Sequence, residues 1–360
     1  MTMDIAIVGA GIAGATLAAA IGDRARVLLL EAESAPGYHA TGRSAAFWSE
    51  TYGGPGIQPL TTLSGKALRD GGFLQPLGSL HIGQSGDERQ ADAFLAEFAG
   101  SGVPLDRVDP HAFVPGLRPG WTIGIMEPSC AYIDVAGLHA DALARARRTG
   151  ATLVTDATLT DAVRTAGRWR LATTAGVFDA DVLVNAAGAW ADPVATLAGA
   201  RALGIQPYRR TMVQLRTDPA PAPIVPHVAH LGGDFYFKPE PGGRLWLSPH
   251  DEIPSAPTDA QPEELDVAIA INRFEQAVDW RITQLERKWA GLRSFAPDRL
   301  PVYGFAPETP GFFWFAGQGG FGIQTAPAAA AIGAALLLGD DPPAGIDPGL
   351  YAPSRAALQG

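Results

Sequence analysis

The stretch from Asp4 to Glu31 leaves few folds open to this chain. Ile5-Ala6-Ile7-Val8 is an apolar run of the length and character of a buried parallel strand. It runs into Gly9-Ala10-Gly11-Ile12-Ala13-Gly14, and the Ala/Leu-rich segment from Ala15 to Ile21 predicts a helix. A second apolar run, Val27 to Leu30, ends on Glu31. Together these form a βαβ unit carrying the dinucleotide fingerprint. Gly9 permits the tight turn, Gly11 lets the backbone approach a pyrophosphate, and Gly14 lets helix and strand pack closely. Unpaired N–H groups around Ile12 and Ala13 then face the phosphates. Glu31, followed by Ala32, stands where an acidic side chain holds ribose hydroxyls. The same fingerprint serves NAD and FAD.

The continuation is Gly37-Tyr38-His39-Ala40-Thr41-Gly42-Arg43-Ser44-Ala45-Ala46-Phe47, a small-residue loop with one arginine that predicts a new helix from Ser44. Its wording resembles the D-amino-acid-oxidase-like family of FAD enzymes, and within it the bacterial D-arginine dehydrogenases. The resemblance implies FAD rather than NAD, with Ala40, Thr41, Gly42, Arg43, Ser44, Ala45 and Ala46 wrapping the flavin end. It extends to Val182-Leu183-Val184-Asn185-Ala186-Ala187-Gly188-Ala189-Trp190 and to Gly317-Gln318-Gly319-Gly320-Phe321-Gly322-Ile323-Gln324. By resemblance, Ala187, Gly188 and Trp190, then Gly319 to Gln324, line the cofactor site, and a backbone group of Leu159 meets the adenine. The helix ending near Leu338 would aim a further N-terminus at the cofactor. Cys130 is the single cysteine and lies far from the last glycine-rich motif, so the FAD is expected to be non-covalent.

Length and pattern extend this to the whole chain. At 360 residues there is room for two domains. The reading is a mixed α/β protein: a Rossmann-like FAD-binding domain over 1–48, 136–204 and 289–360, interleaved with an antiparallel-sheet substrate-binding domain over 49–135 and 205–288. Within the second, Phe73 to Ile82 predicts a hairpin turning at Pro76-Leu77-Gly78, and Glu88 to Phe98 an amphipathic helix. Residues Thr158 to Thr173 predict a small meander, and Glu263 to Val278 a helix after Pro262. With 27 Lys+Arg against 37 Asp+Glu and no basic run, nucleic acid is excluded as a partner. One cysteine rules out an intramolecular disulfide and a cysteine metal site, and no metal is expected. Asp4 in place of a basic segment argues against a leader, and Ala326 to Leu338 falls short of the ~20 residues of a membrane span. A cytoplasmic protein that does not span a membrane is expected.

An amino-acid-oxidising flavoenzyme needs a clamp for the substrate carboxylate, and the planar fork of arginine suits it. Arg293, in Gly-Leu-Arg-Ser-Phe, is the first candidate. Arg209 and Arg210 are adjacent on a strand and point to opposite faces; the resemblance selects Arg210. It also assigns Tyr52 and Tyr236 to the carboxylate and the Gly320 carbonyl to the amine. It further implies hydride transfer from Cα to flavin N5 without a side-chain base, the imino acid then hydrolysing to a 2-oxo acid and ammonia. His39 belongs to the flavin loop, and His227 and His230 are expected in loops. The side-chain pocket is expected at Phe47, Ser49 and Ser79. Phe47 stands where the D-arginine dehydrogenases carry a histidine, and Ser79 falls where they carry a glutamate. A neutral or apolar D-amino acid, rather than D-arginine, is therefore the expected substrate. Glu50 is read as a solvated acid.

Glycine, sarcosine or a 2-hydroxy acid shares the carboxylate and stays open as substrate. So do a non-catalytic flavoprotein subunit and a soluble NAD dehydrogenase. Electrons are expected to pass to oxygen or to a quinone or respiratory carrier.

Overall fold

Small residues at the start of the chain set how its layers meet. The computed structural model describes residues 4–359; residues 1–3 and 360, at the ends of the expected ranges 1–48 and 289–360, lie outside the described residues. Strand β1 (Asp4–Val8) leads through the glycine turn into helix α1 (Ile12–Ile21) and back into strand β2 (Arg26–Leu30). β1 pairs in parallel with β2 on one side and with Val182–Asn185 on the other. The six-stranded sheet runs Val302–Phe305, Phe312–Ala316, Val182–Asn185, β1, β2, Thr152–Val154. All its pairings are parallel except the outermost, between Val302–Phe305 and Phe312–Ala316. Its central strands, Asp4–Val8, Val182–Asn185 and Phe312–Ala316, are buried on both faces, which is why they read as continuous apolar runs. Helix α1 packs there because it is half alanine, with a glycine at its close approach: a Cβ on Gly14 would lie 1.9 Å from the Gly9 carbonyl oxygen.

A ten-stranded sheet forms the second layer, its spine the antiparallel pair Gln206–Asp218 and Arg281–Phe295. The helix Glu264–Ala277 buries Val267, Ala270 and Phe274 in the core of this layer. The three-stranded meander Leu159–Thr165, Arg168–Thr173, Gly176–Ala180 carries the fully buried Trp169 toward the first layer. The strand Arg281–Phe295 stays in the large sheet to its end, and Gln318–Gly319 pairs with it, so the expected boundary at 289 falls inside one continuous strand.

Two local expectations are overturned. Residues from Ser44 do not form a helix: Phe47–Trp48 (β3) is a short strand paired with Ala131–Ile133. The two aromatic side chains are buried there, and the Trp48 indole donates to the Thr61 carbonyl (3.0 Å). Nor do residues 73–82 make a hairpin. Leu74–Pro76 pairs with Ala131–Ile133, while Ser79–Gln84 joins the large sheet beside Trp121–Glu127 and His227–His230. Gly78, at φ +76°, turns the chain from one sheet to the other.

Gly14→Ala would drive a methyl group into the Gly9 carbonyl. Overpacking of this kind costs about 2 kcal/mol or more, a fall of roughly 5 °C in Tm; a thermal melt followed by far-ultraviolet circular dichroism checks it.

Candidate active site

One cavity of about 500 Å³ runs between the two layers, from Glu31, Glu33 and Leu159 at one end to Arg210, Tyr236 and Arg293 at the other. That size is typical of small-molecule sites. At the first end Glu31 is buried, and its carboxylate accepts from the Ala10 amide (2.9 Å) and the Glu33 amide (3.1 Å). Those contacts fix the acid where the β1–α1 turn passes. Gly9 sits at φ +101°, and a Cβ there would be 2.4 Å from the Ala186 oxygen. Gly11 is the N-cap of helix α1 and offers no side-chain cap; Thr41 Oγ1 accepts only the Ile12 amide (3.0 Å). A buried acid, an uncapped helix start and glycine turns along one channel fit an adenine dinucleotide. Gly9, Gly11, Ile12, Ala13, Glu31, Ala32, Thr41, Ala187, Gly188 and Leu159 would hold it.

The loop 37–46 closes over this channel. Arg43 spans from it to the Ala260 carbonyl (2.9 Å) and the Asp259 carboxylate, while the Trp289 indole donates to the Arg43 carbonyl (2.9 Å). His39 bonds Glu33 (2.8 Å) and tilts against Trp190. Ala40, Arg43, Ser44, Ala45, Ala46, Trp190, Gly319, Gly320, Gly322, Ile323 and Gln324 all line the same cavity.

At the far end, strand register brings two cations together. Arg210 lies opposite Gly291 and Tyr208 opposite Arg293 in the central antiparallel pair. Arg210 and Arg293 thus occupy diagonal positions on one face. Arg293 Nη1 donates to the Tyr52 hydroxyl (3.1 Å), Nη2 to Glu252, and its buried Nε has no partner. Arg210 Nε donates to the Asp251 carbonyl (2.8 Å), with the Asp251 carboxylate at 3.7 Å. Burial, then the neighbouring Arg293, holds the Arg210 pKa below the usual arginine range. Burial also opposes the charge on Arg293, but the Tyr52 and Glu252 oxygens outweigh it and raise its pKa. Tyr236 donates to Met212 Sδ (3.1 Å) under the Arg210 guanidinium, and burial pushes its pKa up. A Cβ on Gly320 would come within 2.7 Å of the Tyr52 hydroxyl and 2.9 Å of Arg293 Nη1, so this backbone abuts the clamp. Arg209, on the opposite face, is tied to Glu263 and Asp266.

Not every residue singled out in the sequence reaches the cavity. Phe47 lines it; Ser49 and Ser79 do not. Ser79 is buried one layer behind, bonded to His227 Nδ1 (2.9 Å), and the His227 ring packs 4.1 Å from Phe47. Ser49 turns away to Glu127 (2.8 Å). Gly14 and Gly42 serve backbone packing, and Phe321 packs on Tyr52 and Phe295. His227 and His230 lie on a strand, not in loops. Glu50 is buried rather than solvated and accepts from Thr62 (2.6 Å). The helix Ala326–Leu338 does not offer free amides: its Ala326 amide donates to Ile323 O, residue 327 is proline, and Ala328 donates to Ser64 Oγ (3.1 Å).

Several contributors escape sequence reasoning. Glu127, fully buried, accepts from the Glu50 amide (2.6 Å), Thr51 Oγ1 (2.6 Å) and Ser49 Oγ (2.8 Å), and so fixes the turn that delivers Tyr52. Burial pushes its pKa up despite these donors. Met212, Asp251 and Glu252 were likewise unmarked; only Met212 had a sequence signal, two residues from Arg210 and hence on its face.

The chain matches the family described as FAD dependent oxidoreductase over residues 4–336. Glycine oxidase of Pseudomonas aeruginosa is 27% identical over 263 residues, 70% of this chain and 67% of that protein. Other curated relatives are matched over 40–48% of their own length. Among solved structures, glycine oxidase from Geobacillus kaustophilus superposes with a TM-score of 0.84 at 24% identity, covering 98% of this chain and 99% of that one. L-proline dehydrogenase from P. horikoshii gives 0.85 at 22% identity, covering 98% and 97%.

Burial pushes the His81 imidazole, behind Thr51, down to about 4. A histidine depressed on folding contributes stability that is complete above its unfolded value near 6.5 and is lost as pH falls toward about 4. His81→Gln is expected to flatten the fall in Tm over that interval by up to one proton, as read from melts at stepped pH.

Proposed function

The chain belongs to the FAD dependent oxidoreductase family, and on that premise we propose that it oxidises the C–N bond of a neutral D-amino acid held by its carboxylate. FAD, bound non-covalently along the channel, supplies the two-electron acceptor. The observation that carries the reading is the pairing of Arg293 and Arg210 with the Tyr52 and Tyr236 phenols at one end of the cofactor channel. Arg293 keeps a buried Nε without a partner, a donor suited to a carboxylate oxygen. Gly320, whose backbone abuts Tyr52 and Arg293, carries the carbonyl that would accept from a substrate amine.

The chain's own part is binding and orientation. Among the described residues no imidazole lines this end of the cavity: His227 is behind Phe47, and His250 is held neutral, its pKa pushed down to about 3 by burial and then by Arg210. The substrate amine would therefore enter in its neutral form. Phe47, Met212 and Tyr236 give the substrate side chain an apolar wall, against the guanidinium of D-arginine.

A second reading, glycine or a secondary amine such as sarcosine, is favoured by how tightly these rings close the end. Phe47 lies 5.1 Å from Tyr52 and 6.2 Å from Tyr236. The glycine oxidase name among the relatives also supports it. Reduced cofactor would pass its electrons to oxygen or to a quinone-type carrier. Among the described residues no helix is long and apolar enough to cross a membrane; a cytoplasmic location is part of this proposal.

Anaerobic bleaching of the flavin absorbance by D- and L-amino acids, glycine and sarcosine tests both readings. Rapid bleaching by apolar D-acids, with D-arginine slow, is expected; bleaching by glycine or sarcosine alone would transfer the assignment to the second. No bleaching by any amine would overturn both. Arg293→Met should lower kcat/KM by roughly 10²- to 10³-fold through loss of the charged clamp, with flavin content unchanged. Gly320→Ala should also impair turnover by intruding on the Tyr52 hydroxyl and Arg293, a loss read from kcat/KM with the best substrate.

A further inference from the structure

Arg293 and Arg210 do not meet the solvent side of the cavity alone. The segment Pro249 to Ile253 brings two acids against them, and Glu252 is the outer one. Its carboxylate accepts from Arg293 Nη2 and from Arg299 Nη2 (2.8 and 3.0 Å), and lies 3.7 Å from Arg210 Nη2. Arg299 is itself braced over the Phe295 ring at 3.9 Å. Asp251 sits at Arg210 and is held by the Thr211 amide (2.8 Å) and hydroxyl (2.9 Å). Three guanidiniums against two carboxylates leave this linked cluster with one positive charge. A substrate bringing one carboxylate neutralises it; a substrate bringing two leaves an excess negative charge in a partly desolvated site.

We propose that Glu252 sets the charge of the clamp, so that the site takes substrates with a single carboxylate and discriminates against dicarboxylates. Glu252 is a specificity-determining residue that acts through Arg293 rather than by touching the reacting atoms. This rests on the reading of Arg293 and Arg210 as a carboxylate clamp. It goes further by naming the substrate class that clamp admits.

The test uses the FAD-loaded protein and two non-reacting probes, acetate and malonate, at a pH where both malonate carboxylates are ionised. Dissociation constants are read from the perturbation of the flavin spectrum in wild type, Glu252→Gln and Glu252→Asp. Disturbing Arg293 weakens both anions together, so the ratio of malonate to acetate affinity isolates the charge. One unit charge removed several ångströms away, at an effective dielectric constant of about 20, changes that ratio by about tenfold or more. Glu252→Gln is expected to raise the ratio by that factor, and Glu252→Asp, which keeps the charge, to leave it at the wild-type value. An unchanged ratio in Glu252→Gln overturns the proposal, as does an equal rise in Glu252→Asp. Arg299→Gln, which lowers the cluster charge by one, is expected to move the ratio down about tenfold; no movement there counts against the proposal even if the Glu252→Gln variant fails to fold. Wild-type protein whose flavin responds to neither anion, yet is bleached by an amine, would overturn the clamp reading and this inference with it.

Discussion

The arginine-lined end of the cavity is governed by the repulsion between two buried guanidiniums. Arg210 and Arg293 share a sheet face because Arg210 pairs with Gly291, two residues before Arg293 in the facing strand. Side by side and away from water they would drive the strands apart unless anions lay between or beside them. Asp251 and Glu252 supply that negative charge, while the Tyr52 hydroxyl accepts from Arg293 and the Tyr236 ring lies under Arg210. Gly291 opposite Arg210 carries no side chain, which leaves room for the loop around Arg43. What remains is a pair of cations with donors to spare, facing a channel whose other end holds a buried acid.

Much of the architecture is legible in the sequence because the first sheet speaks in strong local signals. Continuous apolar runs ending in small residues, Ile5 to Val8 and Val182 to Asn185, have one economical home, a parallel sheet covered on both faces. The glycine spacing after Val8 then leaves little choice of turn. The candidate site was legible for the same reason wherever a side chain belonged to a short motif: Glu31, Arg43, Arg293 and Gly320 all reach the cavity.

What sequence could not supply are relations between distant segments. Ser79 reads as a pocket residue because it falls where the D-arginine dehydrogenases carry a glutamate, yet its strand lies beside His227–His230, and the His227 ring stands between it and Phe47. Local pattern likewise suggested a hairpin at residues 73–82, where the two strands in fact serve different sheets. Glu127 has no motif; its importance comes from three donors of residues 49–51, far away in the chain. A buried carboxylate is legible only once its donors are known, since an exposed and a buried glutamate are written alike.

The cavity draws its walls from segments scattered between Val8 and Gln324, and from both sheets. No fragment of the fold owns it. Any molecule that fits can therefore bind the finished structure and has no comparable site in the unfolded chain. Occupancy then feeds directly into the folding equilibrium, adding about 2.7 kcal/mol when free ligand stands at a hundred times its dissociation constant. That is a large share of the margin by which a domain stays folded. The supply of cofactor during synthesis thus governs how much of the chain persists as folded protein, quite apart from how fast it turns over.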